Sequence, residues 1–228
     1  MNKFLIETIN VKKNFLNKKK IIKVFENVNI RLKPGELVAI IGPSGSGKSS
    51  LLHLFALLDK PTSGQIIFNG IDQKKISEDQ KNEIRKENIS MIFQDNNLLS
   101  DFTAIENVAM PLIIRGDEIK LAYKMAEKIL NNVKLKERMH HFPNELSGGE
   151  QQRVAIARAL IAETDIILAD EPTGNLDHKT AREIFSYFVK LKKMKKAVVF
   201  ATHNRELANM ADYKLSISHG NIKRVNAK

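Results

Sequence analysis

An α/β fold built on a mostly parallel sheet and interrupted by a helical insertion is predicted by three features of the 228-residue sequence. "ELVAII" (Glu36 to Ile41) is an apolar run that feeds a glycine-rich loop and then a helix. "DIILAD" (Asp165 to Asp170) and "KAVVFAT" (Lys196 to Thr202) are apolar runs bounded by polar residues, the pattern of strands buried on both faces of a parallel sheet. Between these strands, from about Phe102 to Leu160, the apolar spacing is helical. A chain of this length buries one full core, so one folding unit with an insertion is expected.

The remaining elements follow in order. Alternating apolar residues in "FLIETINV" and "VFENVNIRL" predict strands. "SSLLHLFALL", directly after the glycine loop, has the density of a core helix, and "PTSGQIIFNG" (Pro61 to Gly70) predicts a turn, a short strand and a second turn. "SEDQKNEIRKEN" opens with Ser77 followed three residues later by Gln80, a capping box that predicts an exposed charged helix. In the insertion, Ala122, Met125, Ile129 and Val133 are spaced to share one helix face. There is no internal repeat and no low-complexity segment.

Composition removes several classes of function. The sequence has no cysteine, so disulfides, thiolate zinc sites and thiol catalysis are absent. No apolar run approaches the roughly 18 to 20 residues of a membrane helix, and Glu7 cuts short the apolar start, so neither a span nor a secretory signal is expected. Any membrane role must pass through a partner. The net charge of +11 invites a nucleic-acid or anionic-membrane reading, and contact of the basic surface with lipid stays open. Its lysines fall instead in short clusters, Lys18 to Lys20 and Lys192, Lys193, Lys195 and Lys196, without interleaved aromatics for stacking on bases, which predicts a solvated surface and no nucleic-acid partner.

"GPSGSGKSS" (Gly42, Pro43, Ser44, Gly45, Ser46, Gly47, Lys48, Ser49, Ser50) fits the phosphate-loop pattern and lies between a predicted strand and a predicted helix, the context such a loop requires. Gly42, Gly45 and Gly47 permit close backbone approach, Lys48 reaches the outer phosphates and the Ser49 hydroxyl ligates Mg²⁺. Asp170, ending a buried strand, is placed to hold the magnesium shell, and Glu171 beside it to orient or deprotonate a water. No N-K-x-D sequence for reading guanine is present, which favours ATP. His203 follows a core strand at the edge where α/β sheets bind ligands and is within reach of a γ-phosphate. His140 and His141 are adjacent in a predicted loop with no second ligand pair, so no metal site is assigned to them.

A second glycine-rich helix opening, "LSGGEQQRVAIARAL" (Leu146 to Leu160), has no strand directly before it and no lysine for a phosphate. With the phosphate loop, Gln94 in "IFQDNN", "ILADEPTGNLD" and His203, this signature closely resembles the ATP-binding cassette (ABC) ATPases, over essentially the whole chain. The resemblance implies a P-loop NTPase core with an antiparallel β subdomain. The RecA-like core would cover about 1–93 and 161–228, and a helical subdomain about 94–160. It also implies an ATPase in which two copies pair head to tail, so that Ser147, Gly148 and Gly149 of one copy complete the ATP site on the other copy's phosphate loop. Lys48, Glu171 and His203 would be catalytic. Gln94 would touch magnesium and link the site to a membrane partner, and Asp177 would carry signals across the dimer. Phe15 would stack on adenine at a position where the family usually has tyrosine. Within the family, "LLSDFTAIENVAMPLIIRG" (Leu98 to Gly116) and "ADEPTGNLD" resemble the LolD, MacB and FtsE branch, and "DFTAIENVAMPL" resembles its lipoprotein-releasing LolD type. That resemblance implies permease partners of the LolC/LolE kind and a peripheral place on the cytoplasmic face of the inner membrane. MacB-type export and FtsE-type cell division stay open as alternatives. A DNA-repair or chromosome-organising ATPase would carry a long coiled coil or a zinc module between loop and signature, and neither is present.

Overall fold

The computed structural model describes residues 3–18 and 20–226. Lys19, in the first lysine cluster, lies outside the described residues.

Two sheets form the frame. The first is antiparallel: β1 (Ile6–Asn17) pairs with β2 (Lys20–Val28), with β3 (Arg31–Leu32) and with β5 (Ser63–Phe68), which in turn pairs with β6 (Ile71–Asp72). The second has the order β11-β10-β4-β9-β8-β7, from β4 (Leu37–Ile41), β7 (Ile89–Ile92), β8 (Ile166–Asp170), β9 (Ala197–Ala201), β10 (Tyr213–Ser218) and β11 (Asn221–Asn226). Every pair in it is parallel except β10 with β11.

The apolar runs read as buried strands are buried: every residue of β8 and β9 is inaccessible. Because successive strand side chains point to opposite faces, each run feeds two cores. Ala39, Ile167, Ala169, Val198 and Phe200 face one side, with Phe185 and Phe188 of α6 (His178–Lys193) and the helices of the insertion. Ile40, Ile166, Leu168, Val199 and Ala201 face the other, with Leu51, Leu52 and Phe55 of α1 (Lys48–Phe55) and the antiparallel sheet. Edge-to-face contact between Phe185 and Phe200, with ring centroids 5.1 Å apart, locks α6 onto the sheet.

The capping box of α2 (Glu78–Asn88) forms as its sequence requires, Ser77 N donating to Gln80 Oε1 at 2.9 Å. The insertion holds α3 (Ala104–Arg115), α4 (Ile119–Asn132) and α5 (Gly148–Ile161), with α3 packed on both of the others. In α4 the fully buried stripe is Ala122, Ala126 and Leu130, continuing to Val133, while Met125 and Ile129 sit half-buried at its margin. The stripe is therefore rotated by one residue from its expected centre, because small alanines let α4 approach its neighbours closely. Asn107, fully buried in α3, donates its amide to Leu99 O, Phe102 O and Thr103 O and accepts from Leu99 N, pinning the preceding loop to the helix. The second lysine cluster is partly paired, Lys192 with Asp212 and Lys196 with Asp165.

Candidate nucleotide-binding site

From the end of β4 the chain turns through residues 42–47 and enters α1 at Lys48. Gly47 caps this helix in the left-handed region (φ 101°), and a methyl group there would lie 2.4 Å from Val24 Cγ1. Gly45 (φ 73°) has open space where its side chain would be. The first glycine is thus required by packing; the second leaves bare backbone facing outward. No side chain caps α1 and no acid stands in its first turn, so its positive end is free for an anion. Lys48 is buried (7% exposed) and its ammonium donates to Gly42 O at 3.1 Å and Pro43 O at 3.2 Å, 3.3 Å from His203 Nε2. Ser46 Oγ is buried without a partner.

Asp170, the last residue of β8, is buried, and Glu171 follows it in a left-handed conformation (φ 46°), its N–H donating to Ala201 O at 3.1 Å. That conformation is uncommon outside glycine and asparagine and is stored where the surroundings over-determine it. It lets Glu171 Oε2 accept the His203 backbone N–H at 3.3 Å and leaves Oε1 3.3 Å from His203 Nε2, with no hydrogen bond made to it. Burial raises the Glu171 carboxyl above the ordinary carboxylate value; the His203 N–H and the charges of His203 and Lys48 offset part of this.

Phe15, Ser44, Gly45, Gly47, Lys48, Ser49 and Ser50 line one open cleft of about 340 Å³, together with Gln94, Asp170, Glu171 and His203. Ile22 and Val24 complete its wall, Ile22 standing opposite Phe15 in the β1–β2 ladder. Sequence reasoning missed both; the signal was the alternation running from Ile22, ahead of where β2 was expected to start. Gly42, Pro43 and Ser46 sit behind the cleft, Gly42 and Pro43 through their contacts to Lys48. Among the described residues no cluster of three or more His, Asp or Glu could hold a metal alone. The donors present, the Ser49 hydroxyl, the Gln94 amide oxygen and the Asp170 carboxylate, are hard oxygens suited to Mg²⁺, which takes few protein ligands beside water and phosphate oxygens. The cleft residues fit a magnesium nucleotide.

Ser147, Gly148, Gly149 and Asp177 stand outside this cleft. Ser147 caps α5 in a capping box, its Oγ accepting from Glu150 N at 3.3 Å while its own N–H donates to Glu150 Oε2 at 2.9 Å. Gly148 has open space where a side chain would be; a methyl on Gly149 would lie 3.3 Å from Asn175 O. The Asp177 carboxylate caps α6, accepting from Lys179 N and Thr180 N, and the Thr180 hydroxyl together with these N–H groups holds its pKa below the usual aspartate value. The signature and residues 174–177 therefore form a second surface, next to each other and apart from the cleft.

Residues 25–174 match the family described as ABC transporter. The lipoprotein-releasing system ATP-binding protein LolD of Rickettsia bellii is 48% identical over 221 residues, covering 96% of this chain and 98% of that protein. LolD of Legionella pneumophila (strain Paris) is 44% identical over 97% of this chain and 98% of its own length. The ATP-binding cassette MJ0796, solved as a dimer in a post-hydrolysis state bound to ADP and Pi, superposes with a TM-score of 0.93 at 38% identity, covering 98% of this chain and 99% of that one. The family match over residues 25–174 and the relatives' identity over nearly the whole chain show that this chain belongs to the ABC transporter family.

Proposed function

We propose that this chain is the ATP-hydrolysing subunit of a complex that releases lipoproteins from the inner membrane towards the outer membrane. The observation that carries the cargo class is the near end-to-end similarity to proteins named for lipoprotein release. No helix among the described residues is long and apolar enough to cross a membrane, which supports work through permease partners of the LolC/LolE kind, on the cytoplasmic face. The unit is one cassette, with a RecA-like core of about 1–93 and 161–228 and a helical subdomain of about 94–160.

Ser49, Gln94 and Asp170 would hold Mg²⁺, which would supply charge neutralisation for the phosphates. The Lys48 ammonium exchanges the carbonyls of Gly42 and Pro43 for the outer phosphates, and the free N–H groups of α1 complete that cradle. Glu171, made more basic by burial, orients the attacking water through its unpartnered Oε1, and His203 sits beside the γ-phosphate. Phe15 stacks on adenine. Ser147, Gly148 and Gly149 of a second copy close the site from the other side, with Asp177 at the junction, so ATP joins two copies head to tail.

The test is an affinity pull-down of Glu171→Gln from detergent-solubilised membranes with ATP, identifying co-purifying chains by mass spectrometry. Recovery of two related permease chains with lipoprotein is the expected result. A single FtsX-like chain with cell-wall factors, or an outer-membrane duct, would overturn the cargo assignment.

A further inference from the structure

Lys13, two residues before Phe15 on β1, is only 6% exposed. A buried ammonium is costly unless paired and hydrogen-bonded, and this one is both. Its Nζ donates to Asp59 Oδ1 at 2.7 Å, lies 2.6 Å from Oδ2 and donates to Lys60 O at 3.0 Å. The same ammonium stands 4.6 Å from the centroid of the Phe15 ring. Phe15 lines the cleft and Lys13 does not, and the cation stands over the Phe15 ring.

The surroundings build this arrangement deliberately. A break in the β1–β2 register flanks Lys13 on both sides, a bulge of the kind that re-aims a side chain beside a functional site. The segment that follows α1 clamps the bulged strand: Thr62 N donates to Lys12 O at 2.8 Å and Asn14 N donates to Thr62 Oγ1 at 2.9 Å. One helix therefore organises both ends of the cleft, the phosphate end at its start and the aromatic end through the residues beyond its finish. Phenylalanine has no hydroxyl with which to anchor itself, and at 43% exposure its ring has little packing to fix it.

We propose that Lys13, held by Asp59, is a positioning residue for the nucleotide base: it fixes the Phe15 ring and draws its π-electrons toward the buried face. The cleft face is then less electron-rich and stacks better on an electron-rich purine. This rests on the reading of Phe15 as the base platform.

The sequence contains no tryptophan, so Phe15→Trp supplies a single fluorescent reporter at the platform. ATP·Mg²⁺ is titrated into that variant with and without Lys13→Met, and KM and kcat are measured for Lys13→Met, Lys13→Arg and Asp59→Asn in the Phe15 chain. The expected result for Lys13→Met is a KM for ATP raised roughly 3- to 10-fold, the effect of one partly desolvated cation–π contact. The kcat is retained at saturating ATP, Lys13→Arg rescues KM, and the indole response to ATP is weakened. If Lys13→Met does not fold, Lys13→Gln makes the same test, because its amide removes the charge and keeps a donor for Asp59 and Lys60 O. Unchanged KM and an equal indole response in the Lys13 and Asp59 variants would overturn the role of Lys13 and leave the platform standing. An indole blind to ATP that the chain still binds would overturn the platform and the proposal together.

Discussion

Two helices of this chain begin at glycines, and they begin in opposite ways. At α1, Gly47 offers no capping side chain, the first turn holds no acid, and the free N–H groups open into a cleft of the same chain. At α5, Ser147 already caps the helix, Glu150 stands in the first turn, and Arg138 holds Glu150 at 3.2 Å. The first end is electrostatically unfinished without an anion; the second is complete in isolation. A helix start that waits for its ligand belongs to the site in its own chain. One that is satisfied alone, yet exposes a bare glycine, is on the proposed reading offered to a second copy.

The largest effects should come from breaking the unfinished end or its acid. Glu171→Gln lowers ATP hydrolysis by about 10² to 10⁴-fold, the range for losing a general base, while keeping the ATP-bound dimer in gel filtration. In that background, Lys48→Ala and Gly148→Ala each abolish ATP-driven association. Mixing the two restores it, because one of the two sites in each mixed dimer is then intact. No recovery on mixing would show that the helix ends do not act across copies.

The glycines sharpen the contrast. Gly47→Ala drives a methyl into Val24 at a left-handed position and lowers the stability of the single chain by about 1 to 3 kcal/mol, read from its denaturant midpoint. Gly148→Ala meets nothing and leaves that midpoint the same or slightly higher, since alanine is the better helix former. Ser147→Ala removes a cap and costs about 1 kcal/mol in the same measurement.

The smallest effect is a pH dependence. Burial makes the folded Glu171 carboxyl hold its proton more tightly than the unfolded chain does. The stability it contributes is full below its ordinary value of 4.5 and is lost as pH rises through the folded value. Glu171→Gln therefore raises the Tm of the nucleotide-free chain at neutral pH, and the difference closes towards pH 4. A Tm gap independent of pH would contradict the burial of that carboxyl.

Much of this was legible because its signals are local. The strands β4, β8 and β9 are unbroken apolar runs, and the α2 capping box is four residues long. The cleft residues from Gly45 to Ser49, with Asp170 and Glu171, sit in contiguous motifs. The missed elements depend on distant partners. β7 is only four residues and starts where α2 ends, so no turn marks it. β10 alternates buried and half-buried residues and becomes a strand by pairing with β4, far earlier in the chain. α6 carries its buried Phe185 and Phe188 among many charges, which hid its core face. Nothing in the sequence singled out Lys13, because its partner Asp59 stands 46 residues away.

Gly174 donates its N–H to Glu171 O at 3.0 Å, and the next residue, Asn175, packs against Gly149 at the head of α5. Three residues thus lie between Glu171 and Asn175, and on the proposed reading they join the carboxylate for this chain's own ATP to the surface offered to a second copy. On the proposed reading a shift at either end has one hydrogen-bonded turn to cross, and any coupling between the two is reciprocal. On that reading, coupling between the two sites shows as a Hill coefficient for ATP other than one in the two-copy assembly.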